Sequence, residues 1–166
     1  MKPTTYQLNN AGIEEEFFNH CRLIAIQCSF PGYTLCAHLN SRLGLDFERI
    51  PDLDIYIDFT DKKPKNTSLG LFENITEQAS FPICFPVYQY TYPAYEDARM
   101  LLYANKSEGM SLLPDMKWAD FILMLQGETY DDTSRSIPDI FSRIEKISWY
   151  RELDISSMKW KKNLII

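Results

Sequence analysis

A chain of 166 residues, 45% hydrophobic and 24% charged, is long enough for one domain with a buried core and too apolar for a disordered segment. A formal net charge of −6 argues against non-specific nucleic-acid binding, which needs Lys and Arg to neutralise phosphates; the cluster of Lys159, Lys161 and Lys162 around Trp160 reads as a solvated face. No run approaches the ~20 apolar residues that span a bilayer, and the stretch from Met1 to Asn10 is polar, so the expectation is a single cytoplasmic domain over residues 1–166 with neither a membrane nor a nucleic-acid partner.

In chain order, Arg22 to Cys28 holds Leu23, Ile24, Ala25 and Ile26 in a row, the pattern of a buried strand. Ser29, Phe30, Pro31 and Gly32 break it. A helix follows from about Pro31 or Tyr33 to Leu43, with Leu35, Leu39 and Leu43 on one stripe, Pro31 in its first turn and Gly44 at its C-terminal cap. Leu53 to Phe59 alternates apolar and polar residues, which predicts a half-buried strand. Thr60 to Ser80 is polar and reads as a long surface loop.

Phe85 to Tyr92 and Ala98 to Asn105 then form a hairpin, turning through Pro93 to Asp97, and Asn105 to Gly109 makes the next turn. Ala119 to Gln126 is the most apolar run and predicts a central strand. A second helix is expected with Ser136 as its cap, Pro138 in its first turn, and Ile137, Ile140, Phe141, Ile144 and Ile147 facing a core. Ser148 to Ile155 reads as a last strand, and Leu164 to Ile166 would pack at the edge of the fold. This order predicts an α+β two-layer sandwich, a mostly antiparallel sheet with two helices on one face; a ferredoxin-like or ACT-like order is one topology that fits.

The sequence carries little recognisable chemistry. Six scattered glycines form no phosphate loop, and neither a Gly-x-Ser-x-Gly elbow nor a His-Glu-x-x-His helix is present. Cys21, Cys28, Cys36 and Cys84 contain no Cys-x-x-Cys pair, and with His20 and His38 they match no zinc spacing. Four reduced thiols, no metal, no cofactor and no catalytic residue are expected. Runs such as Glu14-Glu15-Glu16 and Asp131-Asp132 read as solvated faces.

Two stretches stand out. Tyr88, Tyr90 and Tyr92 share one face of a strand by their period of two, with Tyr95 beside them in the turn. They are either core rings beneath the helices or an exposed aromatic platform. Phe81 to Ala98 holds no Lys or Arg, so a platform would suit a protein rather than a phosphate backbone.

The second stretch is Leu113-Pro114-Asp115-Met116-Lys117-Trp118-Ala119-Asp120-Phe121. It resembles the signature of the bacterial IPExxxVDY family: Pro114 and Asp120 match by identity, and Leu113, Asp115, Ala119 and Phe121 are conservative replacements. Leu39, Asn40, Leu43-Gly44-Leu45, the Asn105-Lys106 turn and Gln126-Gly127 are similar to that family as well. The resemblance implies a cytoplasmic bacterial protein of unknown function and no catalytic residue. From physical chemistry alone, Pro114 would end a strand, Asp115 would cap a short turn, and Asp120 would accept backbone N–H bonds at the start of the apolar strand.

Three functions are compatible with these residues. The first is a non-enzymatic protein-interaction or regulatory module, with a homo-oligomer also compatible. The second is a small-ligand-binding, ACT-like sensor. The third is an enzyme with a carboxylate general base. A concave pocket with convergent polar groups favours the second or third, a flat aromatic patch the first.

Overall fold

The apolar run near residue 120 becomes the inner strand of an antiparallel sheet. In a computed structural model, which describes residues 10–59, 81–93, 98–127 and 131–166, the elements follow as α1 (Asn10–Phe18), β1 (Cys21–Cys28), α2 (Gly32–Leu43), β2 (Glu48–Arg49), β3 (Ile55–Ile57), β4 (Ile83–Phe85), β5 (Val87–Thr91), β6 (Arg99–Ala104), β7 (Lys106–Ser107), β8 (Met110–Ser111), β9 (Phe121–Gln126), α3 (Asp131–Ser142) and β10 (Ile147–Leu153). The main sheet runs β10-β1-β9-β6-β5-β2, every neighbouring pair antiparallel. Counted alone, β1, β6, β9 and β10 stand in the order fourth, first, third, second, with α2 after the first and α3 before the fourth, which is the split βαβ order. β5 and β2 extend the sheet past β6, on the edge that this order leaves free.

The period of two along each strand divides the core. Ile24, Ile26, Met100, Leu102, Leu123 and Leu125 point to one face, where Leu35, Cys36 and Leu39 of α2 and Ile137 and Phe141 of α3 cover them. Both helices therefore lie on one face of the sheet, and the fold is an α+β sandwich. Leu23, Ala25, Leu101, Tyr103, Ile122 and Met124 point to the other face, where Phe18, Leu112, Leu113, Ala119 and Leu164 cover them from α1 and from irregular chain. The segment from Leu164 to Ile166 packs in the cover of this face.

Several boundaries differ from the sequence expectation. α3 begins at Asp131, so Ser136 is not its cap and Pro138 lies inside it. Ile144 is buried in the turn after α3, and Ile147 opens β10, because the apolar spacing runs on past the helix end. Pro31 is the N-cap of α2 rather than a first-turn residue, whereas Gly44 takes the left-handed C-cap (φ 66°) and donates its N–H to Asn40.

The expected Leu53–Phe59 strand shrinks to β3. Pro51 starts a 3-10 turn ahead of it, and the Asp54 carboxylate accepts the Val87 N–H (2.9 Å) and pairs with Arg49. β3 pairs with β4 outside the main sheet. The expected strand over 85–92 is interrupted at Pro86, which separates β4 from β5. α1 was not expected at all; its final residues Phe17 and Phe18 dock on the coil-covered face. The expected loop over 60–80 and the turn residue Tyr95 lie outside the described residues.

Among the described residues, β2 at one edge of the main sheet has two residues, and β10 at the other pairs only with β1, its register shifting between Gln27 and Cys28 so that Ser148 is an extra, bulged residue. No helix among the described residues is long and apolar enough to cross a membrane.

Candidate functional site

The Leu113–Phe121 stretch is organised by a side chain outside it. Asn105 is fully buried at the end of β6. Its Nδ2 donates to the carbonyls of Met116 and Ala119 (2.9 Å each), and its Oδ1 accepts the Leu113 N–H at 2.8 Å. Its backbone N–H donates to the Asp120 carbonyl (2.8 Å), and its carbonyl accepts the Leu112 N–H (2.9 Å). An irregular buried segment needs such partners, because no helix or ladder supplies them. Pro114 opens a 3-10 turn over Pro114–Met116 in which Asp115 is exposed and makes no cap; the cap position is Leu113, whose side chain has no donor or acceptor. The expected capping role of Asp115 is therefore not met. Trp118 packs edge-on against Trp149 of β10 (centroids 4.2 Å apart), and Leu113 and Ala119 are buried.

The same turn aims Asp120 across the sheet. Its backbone N–H donates to Ile26 (2.8 Å), extending the pairing of β9 with β1. Its Oδ2 accepts the Cys28 N–H (2.9 Å), as expected of a carboxylate at a strand start, and its Oδ1 pairs with Lys106 Nζ at 2.8 Å. Asp120 and Lys106 stand in the wall of a groove of about 420 Å³ between the end of β1, the start of α2 and the β6–β7 corner. The rest of the wall is largely apolar: Phe30, Pro31, Pro86, Ala104 and Phe121, with Tyr88 and the hydroxyls of Ser29 and Ser107 among them.

Gly32 gives the groove its shape. A Cβ there would stand 2.7 Å from the Tyr88 ring, so only glycine lets the ring lie against the start of α2. Cys28 also faces the groove. Burial pushes its thiol pKa up and the Asp120 charge adds to the rise, although the Phe30 N–H bond works the other way. It is thus not a thiolate nucleophile at neutral pH. Burial lifts Cys21 to about 11 and Cys36 to about 12, and it raises Cys84 as well. All four thiols are unbridged, and no cluster of three or more metal-ligating side chains occurs among the described residues.

Of the two alternatives for the tyrosines, the structure takes the first, rings on the core side beneath the helices. Tyr88, Tyr90 and Tyr92 point to the helix-covered face and pack, half-buried, against its core. Tyr90 meets Tyr92 edge-on (5.0 Å) and lies 6.1 Å from Phe47. They form no open platform, and burial raises the Tyr88 phenol pKa.

Of the residues singled out in sequence, the structure gathers Tyr88, Asp120 and Phe121 in one groove and leaves Tyr90, Tyr92, Leu113, Pro114, Asp115 and Ala119 outside it. Lys106, Phe30 and Ser107 carry no site signal in the sequence: Lys106 reads as part of the Asn105-Lys106 turn, and nothing in a sequence pairs it with Asp120. Comparisons with protein-family models, curated proteins and solved structures found no match to this chain.

Proposed function

We propose that this protein is a non-enzymatic regulatory module that binds a small polar molecule in the groove beside β1 and α2. One observation carries the reading: an ion pair, Lys106–Asp120, stands in the wall of a recess of about 420 Å³ whose other side chains are a mixture of apolar groups with Ser29, Ser107 and Tyr88. Binding sites for small molecules are concave, mostly apolar and fitted with a few orienting polar groups, and their volumes begin near ~300 Å³. A catalytic role has less support, because the one thiol facing the groove is held protonated and both Asp120 oxygens already hold backbone or lysine donors. A docking platform of tyrosines has less support too, since those rings face the helix-side core.

Membership of the IPExxxVDY family and a cytoplasmic location belong to the same proposal. It rests on the resemblance carried by Leu113 to Phe121.

A screen of small polar fragments by ligand-observed NMR tests the reading. Ser107→Trp adds bulk at a half-buried wall position. Fragments that bind the native protein should fail to bind Ser107→Trp, with the melting temperature unchanged. Hits that bind both proteins equally, or no hits at all, would remove the groove from consideration.

A further inference from the structure

We infer that the ligand class is a small zwitterion, a carboxylate and an ammonium on a short apolar body, as in a free amino acid. This rests on the ligand-binding reading above and names its chemistry. The groove is lined by two charged side chains of opposite sign, Lys106 and Asp120, whose charged atoms are 2.8 Å apart. A ligand bearing only a negative charge is attracted by Lys106 and repelled by Asp120 at nearly the same distance, so the two Coulomb effects largely cancel. A ligand bearing only a positive charge meets the reverse. A zwitterion sets each of its charges on the opposite one in the wall and gains from both.

The two groups have the capacity to accept it. A lysine ammonium carries three donors and a carboxylate about four acceptor sites, and the pair uses one donor and, with the Cys28 N–H, two acceptor positions. Both remain in contact with solvent, Lys106 at 43% and Asp120 at 27% side-chain exposure. Beside them Phe30, Pro86 and Phe121 offer an apolar surface for the ligand's body. Two cations stand near the groove outside its lining: Lys146, 5.2 Å from the Phe30 ring centre, and Arg49, which acts on Tyr88 but is already paired with Asp54; the field of Lys146 favours an anion, so the anion is the competitor to test.

The experiment titrates the full, nitrogen-15-labelled chain with three probes on one carbon skeleton. L-leucine carries both charges, 4-methylpentanoate lacks the ammonium, and 3-methylbutan-1-amine lacks the carboxylate. L-leucine should shift the amides of Cys28, Gly32, Lys106 and Phe121 and bind roughly tenfold or more tightly than either analogue, the scale of one charge-assisted hydrogen bond. Two variants then reverse the preference. Lys106→Met should favour the amine. Asp120→Asn, which keeps an oxygen for the Cys28 amide, should favour the carboxylate. Equal binding of L-leucine and 4-methylpentanoate would overturn the zwitterion and leave the ligand-binding reading standing. Fragments that shift the groove where L-leucine does not would overturn it likewise, and a groove that responds to nothing would overturn both.

Discussion

The two faces of the sheet are covered in opposite ways. On one face α2 and α3 lie over Ile24, Ile26, Leu102, Leu123 and Leu125. A helix arrives with its backbone hydrogen bonds already made, so its apolar stripe packs with little polar help. On the other face the cover is largely coil and short turns, from Leu112 to Ala119 and from Ile155 to Ile166. Coil brings unpaired N–H and C=O groups into the interior, and side chains have to meet them. Asn105 binds three of them, the buried Tyr103 hydroxyl donates to the Leu164 carbonyl (2.9 Å), and Asn163 donates to Leu112 (2.8 Å). The helix side obeys the same rule where its chain turns irregular: Asn40 accepts the Phe47 N–H (2.7 Å) and donates to the Phe47 carbonyl. Buried amide and phenol groups mark where regular structure stops, not where chemistry happens.

The contrast is open to breakage by mutation, and the largest effect is expected on the coil side. Asn105→Ala strands the Leu113 N–H and the Met116 and Ala119 carbonyls at once. At about 1–3 kcal/mol for each buried group left unpaired, partly relieved by water entering the space, a loss of about 4 kcal/mol is expected in urea unfolding. Amide hydrogen exchange should accelerate first from Leu112 to Ala119, a local opening of the cover. Uniform acceleration across both faces would break the comparison.

Leu39→Ala empties a fully buried position under α2. The expected cost is about 3 kcal/mol, from lost apolar transfer and the cavity left behind. Exchange should then rise in α2 and β1 while Leu112 to Ala119 keeps its protection. The smallest effect is expected for Tyr103→Phe, which retains the ring and removes only the donor to Leu164. A loss of about 1–2 kcal/mol, with faster proteolysis of the C-terminal segment, would match one carbonyl left unpaired. A neutral outcome would mean that the C-terminal cover is held by apolar contact alone.

What was legible in the sequence follows from the same physics. β1, β6 and β9 are continuous apolar runs, which mark strands buried on both faces, and α2 carries an apolar stripe at helical spacing, which marks the face it buries. The start of α3 was misread because Ser136 and Pro138 imitate an N-cap and first turn, whereas the helix already runs from Asp131 and carries the proline in its interior. α1 was missed because Glu14, Glu15 and Glu16 mask the short docking end at Phe17 and Phe18. The groove was not legible as a site: it joins residues near 30, 87, 105 and 120, which only the strand order brings together. Asn105 reads as a turn residue, since a polar residue at a strand end looks the same in sequence whether it meets water or three buried backbone groups.

The bulge at Ser148 bears on how the molecule behaves in a crowd. A seven-residue outer strand such as β10 is a template for a stranger's backbone, and unguarded edges of this kind seed sheet-to-sheet aggregation. Here the extra residue breaks the ladder's rhythm near one end, while Arg151 and Glu152, both exposed, set charge along the remainder. At the opposite margin β2 has only two residues to offer. Among the described residues, neither margin of the main sheet therefore presents a long, uncharged run to a neighbour, the feature on which edge-to-edge growth depends.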